Sequence, residues 1–408
     1  MNSQETSKPA ARLRLRVSGP AESAIRAGHP WLFAESVVEQ NRPGLLGELG
    51  VIYDRKNCFL GFGLFDPGSP LRLRMLHVGR PQVVQRDWWQ AKLGQALERR
   101  STLFDHQTTG YRCIHGENDG WPGLVLDRYG STYVLKLYTA AWLPRLDEIV
   151  SLIGEAVHPQ QLVLRLSRNI QALSASQFGA TDGKVILGSG DSQFPVFLES
   201  GIRFQADVCR GQKTGFFLDQ RENRREVERL AHGRRVLNLF SYSGGFSLYA
   251  ARGGARSVTD LDISAHALKS AHHNYALNHE IPTVAQCEHR TIQADTFEWL
   301  EKAPKGRYDL LVLDPPSLAK NKGDVAGALG AYQKLASNAI GVLGRNGLLL
   351  AASCSAHVSA EAFTDLMLQA ARGSGRLFAA IKTTGHPPDH PANFPEAWYL
   401  KCLYLRFD

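Results

Sequence analysis

Three apolar runs that each end in polar residues decide the fold of this 408-residue chain: RVLNLFSYSGG at 235–245, YDLLVLDPPS at 308–317 and GLLLAASCS at 347–355. Amphipathic stretches such as Ala265–Asn278 and Ala328–Val342 lie between or beside these runs. Strands that alternate with helices predict right-handed crossovers and a mostly parallel sheet. We therefore expect an open α/β fold in the C-terminal half of the chain.

The N-terminal part predicts a small β domain. Five arginines alternate there with apolar residues, so that each of the two stretches carrying them has its arginines on one face of a half-buried strand. They are Arg12, Arg14, Arg16, Arg72 and Arg74. Phosphate contacts and simple solvation of a sheet face are both open interpretations of this basic surface.

Changes of pattern along the chain predict three domains. Residues 11–85 are expected to form a β-barrel-like domain. A helix over Arg86–Arg100, followed by hairpin signals, predicts an α+β domain over 86–200. Residues 201–408 complete a multidomain α/β chain as the open-sheet domain.

Composition narrows the class of protein. Hydrophobic residues make up 43% and charged residues 21%, which is typical of a folded globular chain and excludes a disordered one. No run reaches the length of a membrane span and no secretory signal is visible at the start, so we expect a cytoplasmic protein without a membrane partner. Six cysteines without a C-x-x-C pair suggest neither a metal site nor a disulfide framework.

Polar residues at the ends of the predicted strands form a candidate ligand site, because ligands of open α/β sheets bind beyond the carboxyl ends of the strands. Gly244 and Gly245 allow close approach of a ligand, but neither the dinucleotide glycine spacing nor a phosphate-binding loop is present. A nucleoside without phosphates fits better. Asp262 ends the next strand, where it could bind ribose hydroxyls or cap the following helix.

Two more carboxylates and one thiol follow strands at the same edge. Asp295 could meet an adenine edge or cap a helix, and Asp314 precedes two prolines that free polar groups to bind a flipped base. Cys354 is either an inert buried residue or a nucleophile. Upstream, Asp219 has capping-box spacing to Glu222. Lys213 and Arg221 begin a basic edge that could contact phosphates.

With these residues in view, the chain resembles the S-adenosylmethionine-dependent rRNA methyltransferases that make 5-methylcytosine in the large ribosomal subunit. HPWLF and GFGLFDPGSPLRLR resemble the PUA domain of that family, an RNA-binding β-barrel, and GENDGWPGLVLDRYG resembles its central domain. The most specific matches are KTGFFLDQRENR, NLFSYSGGFSLYAARGGA, LDPPSLAK, SCS and DHPANFPEAWYLK. The resemblance implies a Rossmann-like class I methyltransferase domain, an S-adenosylmethionine cofactor and rRNA as the partner.

The resemblance also implies roles for individual residues. The segment 238–245 would hold the methionine and adenosine parts of the cofactor, with Asp262 on the ribose and Asp295 beside the adenine. Asp314 would contact both cofactor and base, and Cys354 would be the catalytic nucleophile. The positions named in the cofactor loop are Asn238, Phe240, Tyr242, Gly244 and Gly245.

Three functions stay open from the sequence. The first is methylation of cytosine carbon 5, which needs a thiolate at carbon 6 to make carbon 5 nucleophilic. The second is methylation of another base position, such as one in guanine or uracil, or of an exocyclic amine. Ser317 counts against the exocyclic amine alone, because it cannot stack on a base. The third is a non-catalytic RNA-binding assembly factor. A homodimer is compatible with the sequence, which does not fix the oligomeric state.

Overall fold

A computed structural model describes residues 11–189, 193–319 and 321–408. Lys320, the last residue of the LDPPSLAK motif, lies outside the described residues. The chain divides into two compact units. One comprises the described residues up to 102 together with 112–189, and the other comprises 103–111 together with the described residues from 193 to 408.

The first unit begins with a six-stranded sheet in the order β2-β6-β5-β4-β1-β3. Its elements are β1 (Leu13–Val17), α1 (Gly19–Arg26), β2 (Trp31–Phe33), β3 (Val37–Gln40), β4 (Leu49–Tyr53), β5 (Phe59–Phe65) and β6 (Leu71–Val78). In β1 the leucines are buried while Arg14 and Arg16 are exposed, as the period-two pattern predicts. The alternation arises because successive side chains of a strand point to opposite faces.

A five-stranded sheet in the order β11-β10-β9-β8-β7 follows. Its elements are α2 (Arg86–Glu98), β7 (Gly110–His115), β8 (Leu124–Tyr129), β9 (Thr132–Leu137), α3 (Leu146–Val157), β10 (Gln161–Leu166), α4 (Arg168–Phe178) and β11 (Lys184–Gly188). The predicted helix and hairpin are confirmed. Trp89, Trp121 and Trp142 contact one another in the core of this region. The predicted division at residue 85 falls between two sheets of one unit and stays a prediction.

The second unit is built on a seven-stranded sheet in the order β16-β15-β14-β17-β18-β20-β19. The first five strands in this order are parallel, and β20 is antiparallel to both of its neighbours. The elements are β12 (Val196–Glu199), β13 (Ile202–Gln205), α5 (Arg221–Leu230), β14 (Arg235–Leu239), α6 (Gly245–Arg252), β15 (Ser257–Asp262), α7 (Ala265–Ala276), α8 (Pro282–Gln286), β16 (Glu288–Gln293), α9 (Thr296–Lys302), β17 (Tyr308–Leu313), α10 (Val325–Val342), β18 (Leu343–Ser353), α11 (Ala360–Gly373), β19 (Phe378–Thr384) and β20 (Lys401–Phe407). The mostly parallel open sheet is as predicted.

The central strands are buried on both faces, which explains their continuous apolar runs. Leu237, Leu239, Leu311 and Leu313 are all less than 2% exposed and pack into one core with α10 and α11. That core fixes the strand ends from which the polar site residues emerge. In the part of the chain that the structure describes, we find no helix with the length and apolarity needed to cross a lipid bilayer.

Candidate active site

A cleft of about 880 Å³ opens in the second unit. Four parallel strands bring side chains to its lining: Phe240 follows β14, Asp262 ends β15, Asp314 follows β17 and Cys354 follows β18. Because carboxyl ends of neighbouring parallel strands meet at one edge, these four residues come together although up to 114 residues separate them. The cleft therefore holds the residues on which the predicted chemistry depends.

The loop after β14 has an unusual backbone. Phe240 and Tyr242 have φ of 56° and 49°, and Gly244 has φ of 75°. A left-handed conformation is costly for bulky residues and clusters at functional sites. Asp262 holds this loop by accepting a hydrogen bond from the Tyr242 backbone N–H at 2.9 Å. The strained loop is therefore fixed by the end of the neighbouring strand.

The cleft has polar groups suited to a nucleoside donor. Asp262 accepts from the Tyr242 and Ser264 backbones through different oxygens, at 2.9 and 2.8 Å, and each oxygen keeps a second lone pair for a ribose hydroxyl. Within the described residues the buried Oγ atoms of Ser241 and Ser243 have no hydrogen-bond partner, and both serines line the cleft. Buried polar atoms normally have partners, so a bound polar ligand would satisfy them.

Three other predicted cofactor residues are not among the cleft-lining residues. Asn238 is buried and donates to Ser247 and Asp260, at 3.1 and 2.9 Å. Gly244 caps α6, where a Cβ would approach Ala271 within 2.9 Å. Asp295 caps α9 through one carboxylate oxygen. These positions support the site through the fold, and their contact with a cofactor stays a prediction.

Asp314 lies where burial and charge both act on its carboxyl group. Burial and the neighbouring charge of Asp219 raise the pKa of Asp314 to about 7, although Lys213 and Arg224 oppose the shift. The Gln220 side-chain amide donates to Asp314 Oδ2 at 3.0 Å. A carboxyl group with this pKa can both accept and donate a proton near neutral pH.

Cys354 is a half-buried thiol in the same lining. Burial raises its pKa to about 11, with Asp314 and Asp219 adding to the shift and Lys213 opposing it. The loop that follows is held by the buried ammonium of Lys401, which donates to the carbonyl oxygens of Ser355 and Val358. At neutral pH the thiol is protonated, so its use as a nucleophile requires a proton acceptor.

Asp219 corrects one prediction about helix capping. Its side chain does not cap α5. Gln220 occupies the N-cap position of that helix, and no side chain there bonds to the helix backbone. Asp219 instead accepts from Lys213 Nζ at 2.5 Å and from Tyr399 at 2.8 Å. Burial opposes its ionisation, but the charges of Lys213 and His390 outweigh burial and hold the pKa of Asp219 well below its usual value. The cleft therefore contains a fixed negative charge next to Asp314.

Arg221 corrects a second prediction, that it contacts RNA. The side chain is fully buried and pairs with Asp389 at 3.0 Å and with Glu199 at 3.3 Å. Arg224, one turn further along α5, is also buried and pairs with Glu199. A guanidinium enclosed by carboxylates cannot reach a phosphate, so Arg221 stabilises the fold. Lys213 remains partly exposed in the cleft lining.

The five N-terminal arginines differ in how accessible they are. Arg12, Arg14 and Arg16 are exposed, and Arg16 pairs with Glu39 at 3.0 Å. Arg72 is half-buried and donates to the Asp66 carbonyl. Arg74 is largely buried, with its guanidinium on Glu117 at 2.9 Å. The first three therefore remain the stronger candidates for phosphate contacts.

Sequence reasoning missed three residues of the site: Gln220, Tyr399 and Lys401. All three lie inside motifs that carry the family resemblance, KTGFFLDQRENR and DHPANFPEAWYLK. Their position in these motifs was the one signal in the sequence that could have marked them as site residues. Their contacts were not predictable, because they join segments far apart in the chain: 180 residues for Tyr399 with Asp219, 94 for Gln220 with Asp314 and 46 for Lys401 with Ser355.

Comparison with known proteins identifies the family. Residues 182–406 match the S-adenosylmethionine-dependent methyltransferase family and residues 15–77 match a PUA-like domain. The Ribosomal RNA large subunit methyltransferase of Deinococcus radiodurans is 55% identical over 98% of both chains. Ribosomal RNA large subunit methyltransferase I of Photobacterium profundum is 33% identical over 93% of this chain and 96% of its own.

Solved structures agree on the fold. A methyltransferase crystallised with S-adenosylhomocysteine has a TM-score of 0.81 at 23% identity, covering 97% of this chain and 100% of its own. A methyltransferase from Streptococcus mutans has a TM-score of 0.79 at 22% identity over the same shares of the two chains. The cofactor class follows from the family model, whose members depend on S-adenosylmethionine. The chain belongs to the family of PUA-containing S-adenosylmethionine-dependent methyltransferases that includes the D. radiodurans and P. profundum enzymes.

Proposed function

We propose that this protein methylates carbon 5 of a cytosine in large-subunit rRNA through a covalent bond to Cys354. One observation carries the proposal: Cys354 and Asp314 line the same cleft, beside the loop suited to the methyl donor. The names of the relatives, which are large-subunit rRNA methyltransferases, support this RNA as the substrate. The cytosine target and the covalent mechanism rest on the thiol and the carboxyl group.

Methylation at carbon 5 of cytosine requires both the thiol of Cys354 and the carboxyl group of Asp314. The bound cofactor supplies an electrophilic methyl group, whereas carbon 5 of cytosine is a poor nucleophile. When Cys354 Sγ bonds to carbon 6, the electrons of the ring double bond move to carbon 5, which can then bond to the methyl group. A base must next remove the carbon 5 proton, so that the C5–C6 double bond re-forms, the S–C6 bond breaks and the sulfur leaves. A proton delivered to ring nitrogen N3 stabilises the ring while this happens, and Asp314 is the group in the cleft with a suitable pKa.

The two pKa values define which protonation state reacts. Between pH about 7 and about 11 the pair holds one proton, on the thiol, with Asp314 ionised. Asp314 can take this proton as sulfur attacks and pass it to N3, so the proton count balances. Below pH 7 both groups are protonated and the thiol proton has no acceptor. Single-turnover methylation should therefore rise with pH through about 7.

The N-terminal β domain is assigned to RNA binding. Arg12, Arg14 and Arg16 are exposed on or just before strand β1, where their guanidinium groups can contact phosphates. Lys213 can add a contact at the cleft itself. These contacts would position the RNA without reading its sequence.

Methylation of an exocyclic amine is the less favoured function. It needs no thiol, and an aromatic residue after the two prolines would be expected to stack on the base. Ser317 occupies that position, and its hydroxyl donates to the Ala319 carbonyl at 3.0 Å. The cleft thus has a group for carbon-5 chemistry and lacks the stacking residue at this position.

Trapping tests the proposed function directly. Large-subunit rRNA transcribed with 5-fluorocytidine triphosphate should form a denaturation-resistant complex with the enzyme and S-adenosylmethionine, because fluorine cannot leave carbon 5 as a proton does. Cys354→Ala should abolish this complex and turnover, while S-adenosylhomocysteine binding changes by less than about 1 kcal/mol. Calorimetry measures the binding, and denaturing gels measure the complex.

The other cysteines provide controls. Cys58 is exposed and Cys113 is buried, and alanine at either position should leave trapping intact. Nucleoside digests of unmodified rRNA treated with the wild-type enzyme should contain 5-methylcytidine. Full methylation by Cys354→Ala would disprove the covalent mechanism and favour guanine or an exocyclic amine as the target.

A further inference from the structure

A chain of buried amides runs from the sheet to Asp314. Gln220 Nε2 donates to Asp314 Oδ2 at 3.0 Å, and Gln220 Oε1 accepts from Asn223 Nδ2 at 2.5 Å. Asn223 Oδ1 accepts from the hydroxyls of Thr384 on β19 and Tyr404 on β20. Gln220 is 3% exposed and Asn223 is fully buried.

Ionised Asp314 fixes the direction of this chain, because a carboxylate can only accept a hydrogen bond. Burial raises the pKa of Tyr404 far above its usual value, so that hydroxyl stays protonated and can donate. With its oxygen facing two hydroxyls, Asn223 presents its NH₂ group to Gln220. Gln220 must then present its own NH₂ group to Asp314, because its oxygen is occupied. Asp314 Oδ2 is therefore held as an acceptor.

The second carboxylate oxygen of Asp314, Oδ1, has different surroundings. Among the residues whose positions are described, no group donates a hydrogen bond to Oδ1, and Asp314 lines the cleft. A proton on Oδ2 would face the Gln220 NH₂ group and replace a hydrogen bond by a donor-donor contact. The exchangeable proton of Asp314 therefore belongs on Oδ1.

We propose that Gln220 and Asn223 are positioning residues that keep Oδ2 as an acceptor, so that Asp314 carries its proton on Oδ1 between Cys354 and the target base. This rests on the proposed function. As the sulfur–C6 bond forms, the thiol proton moves to Oδ1 and then to N3 of cytosine, whose lone pair accepts it. Uracil carries a hydrogen on N3 and has no lone pair there, so the same arrangement selects cytosine.

The charges around Asp314 set the direction of the expected pH effect. Asp219 opposes its ionisation, whereas Lys213, Arg224 and the Gln220 hydrogen bond favour it. Cys354, Cys402 and Tyr332 also face Asp314. Removal of the Gln220 donor leaves these charges in place and withdraws one stabiliser of the ionised form. The pH at which activity is half-maximal must then rise.

The test is the pH profile of single-turnover methylation, measured with unmodified large-subunit rRNA transcript and radiolabelled S-adenosylmethionine. We expect Gln220→Ala and Asn223→Leu to lower the plateau rate about tenfold or more and to move the midpoint upward by about half a pH unit or more. Gln220→Glu should move it further, because a second carboxyl group adds a negative charge. Asn278→Ala, which removes a fully buried amide on the chain segment after α7, is the matched control.

The outcomes separate this inference from the proposed function. If wild-type enzyme yields no 5-methylcytidine, both are overturned. If it yields 5-methylcytidine and the midpoints of both Gln220 variants equal that of wild type, only the positioning role is overturned. A lower rate with an unshifted midpoint, as expected for Asn278→Ala, would mark Gln220 as merely structural. S-adenosylhomocysteine affinity and melting temperature identify any variant that is not folded.

Discussion

The thiol of Cys354 combines a central position with low intrinsic reactivity. With its pKa raised to about 11 by burial, only about 0.1% is thiolate at pH 8. We expect iodoacetamide to modify exposed Cys58 well before Cys354 at pH 8, and the Cys354 rate to rise with pH towards 11. Peptide mass spectrometry after timed alkylation measures both rates.

Lys213 provides the companion test, because its positive charge lowers the pKa of the thiol. Lys213→Met should therefore slow alkylation of Cys354 at a given pH and leave Cys58 unchanged. Rapid modification of wild-type Cys354 at pH 7 would show that the free enzyme holds a preformed thiolate, and the proton transfer through Asp314 would be unnecessary.

The Asp262 carboxylate has two expected roles, and Asp262→Ala removes both. It orders the Tyr242 loop and has lone pairs left for a ribose. Loss of two charge-assisted bonds costs on the order of 2 to 4 kcal/mol, so Asp262→Ala should weaken S-adenosylhomocysteine binding about 30-fold or more. Calorimetry is the measurement. Wild-type affinity in this variant would remove Asp262 from the cofactor site.

At single positions, the sequence predicted where a residue lies when the end of a strand fixes it. Asp314 and Cys354 follow buried strands, and parallel strand ends must share an edge. Prediction failed for Arg221, because a charged residue near a helix start is usually solvated, and its partners Glu199 and Asp389 are distant in sequence. Capping by Asp219 failed for the same reason, since Lys213 and Tyr399 take its carboxylate.

Among the elements, helix α5 depends on one buried carboxylate. Glu199 at the end of β12 accepts from Arg224 through both oxygens, at 2.7 and 2.8 Å, and also pairs with Arg221. Both arginines are at most 2% exposed. This pairing fixes the helix that begins directly after Gln220, whose side chain contacts Asp314. Its loss would leave buried cations without compensation.

We therefore expect Glu199→Gln to destabilise the methyltransferase unit by about 3 to 5 kcal/mol, the usual cost of breaking a buried pair. Its calorimetric melting temperature should fall by roughly 10 °C. Glu39→Gln is the control, because its pair with Arg16 is exposed and should shift melting by no more than about 2 °C. Equal small shifts in the two variants would show that hydration compensates the arginines.

The elements themselves were largely predictable. The apolar runs of β14, β17 and β18 and the amphipathic pattern of α7 and α10 are local signals, and each element appears within a few residues of its expected ends. The reversal at the end of the sheet was not predictable, because β20 enters antiparallel between β18 and β19. Strand order depends on long-range pairing, and the residue patterns of single strands do not encode it.

At the scale of the whole molecule, the net charge of +8 is consistent with a polyanionic partner. The six-stranded sheet presents Arg14 and Arg16 on its exposed face, with Arg12 just before β1. Exchanging their contacts within the protein for phosphates would change the free energy of unfolding little, because those contacts are exposed to solvent. These side chains are available for an RNA backbone in a way that buried Arg74 and Arg221 are not.

If these three arginines contact phosphates, affinity for rRNA must depend on salt through them. Each phosphate contact contributes about 0.7 to the log-log salt slope for single-stranded RNA, so the triple alanine variant at 12, 14 and 16 should flatten the slope by about 2. Fluorescence anisotropy with labelled rRNA fragments across a salt series measures it. Arg229→Ala, which removes an exposed arginine from α5, should change the slope little. The methylated nucleotide should stay the same in every variant, because backbone contacts position RNA without specifying bases. An unchanged slope in the triple variant would mean that these arginines only solvate the sheet.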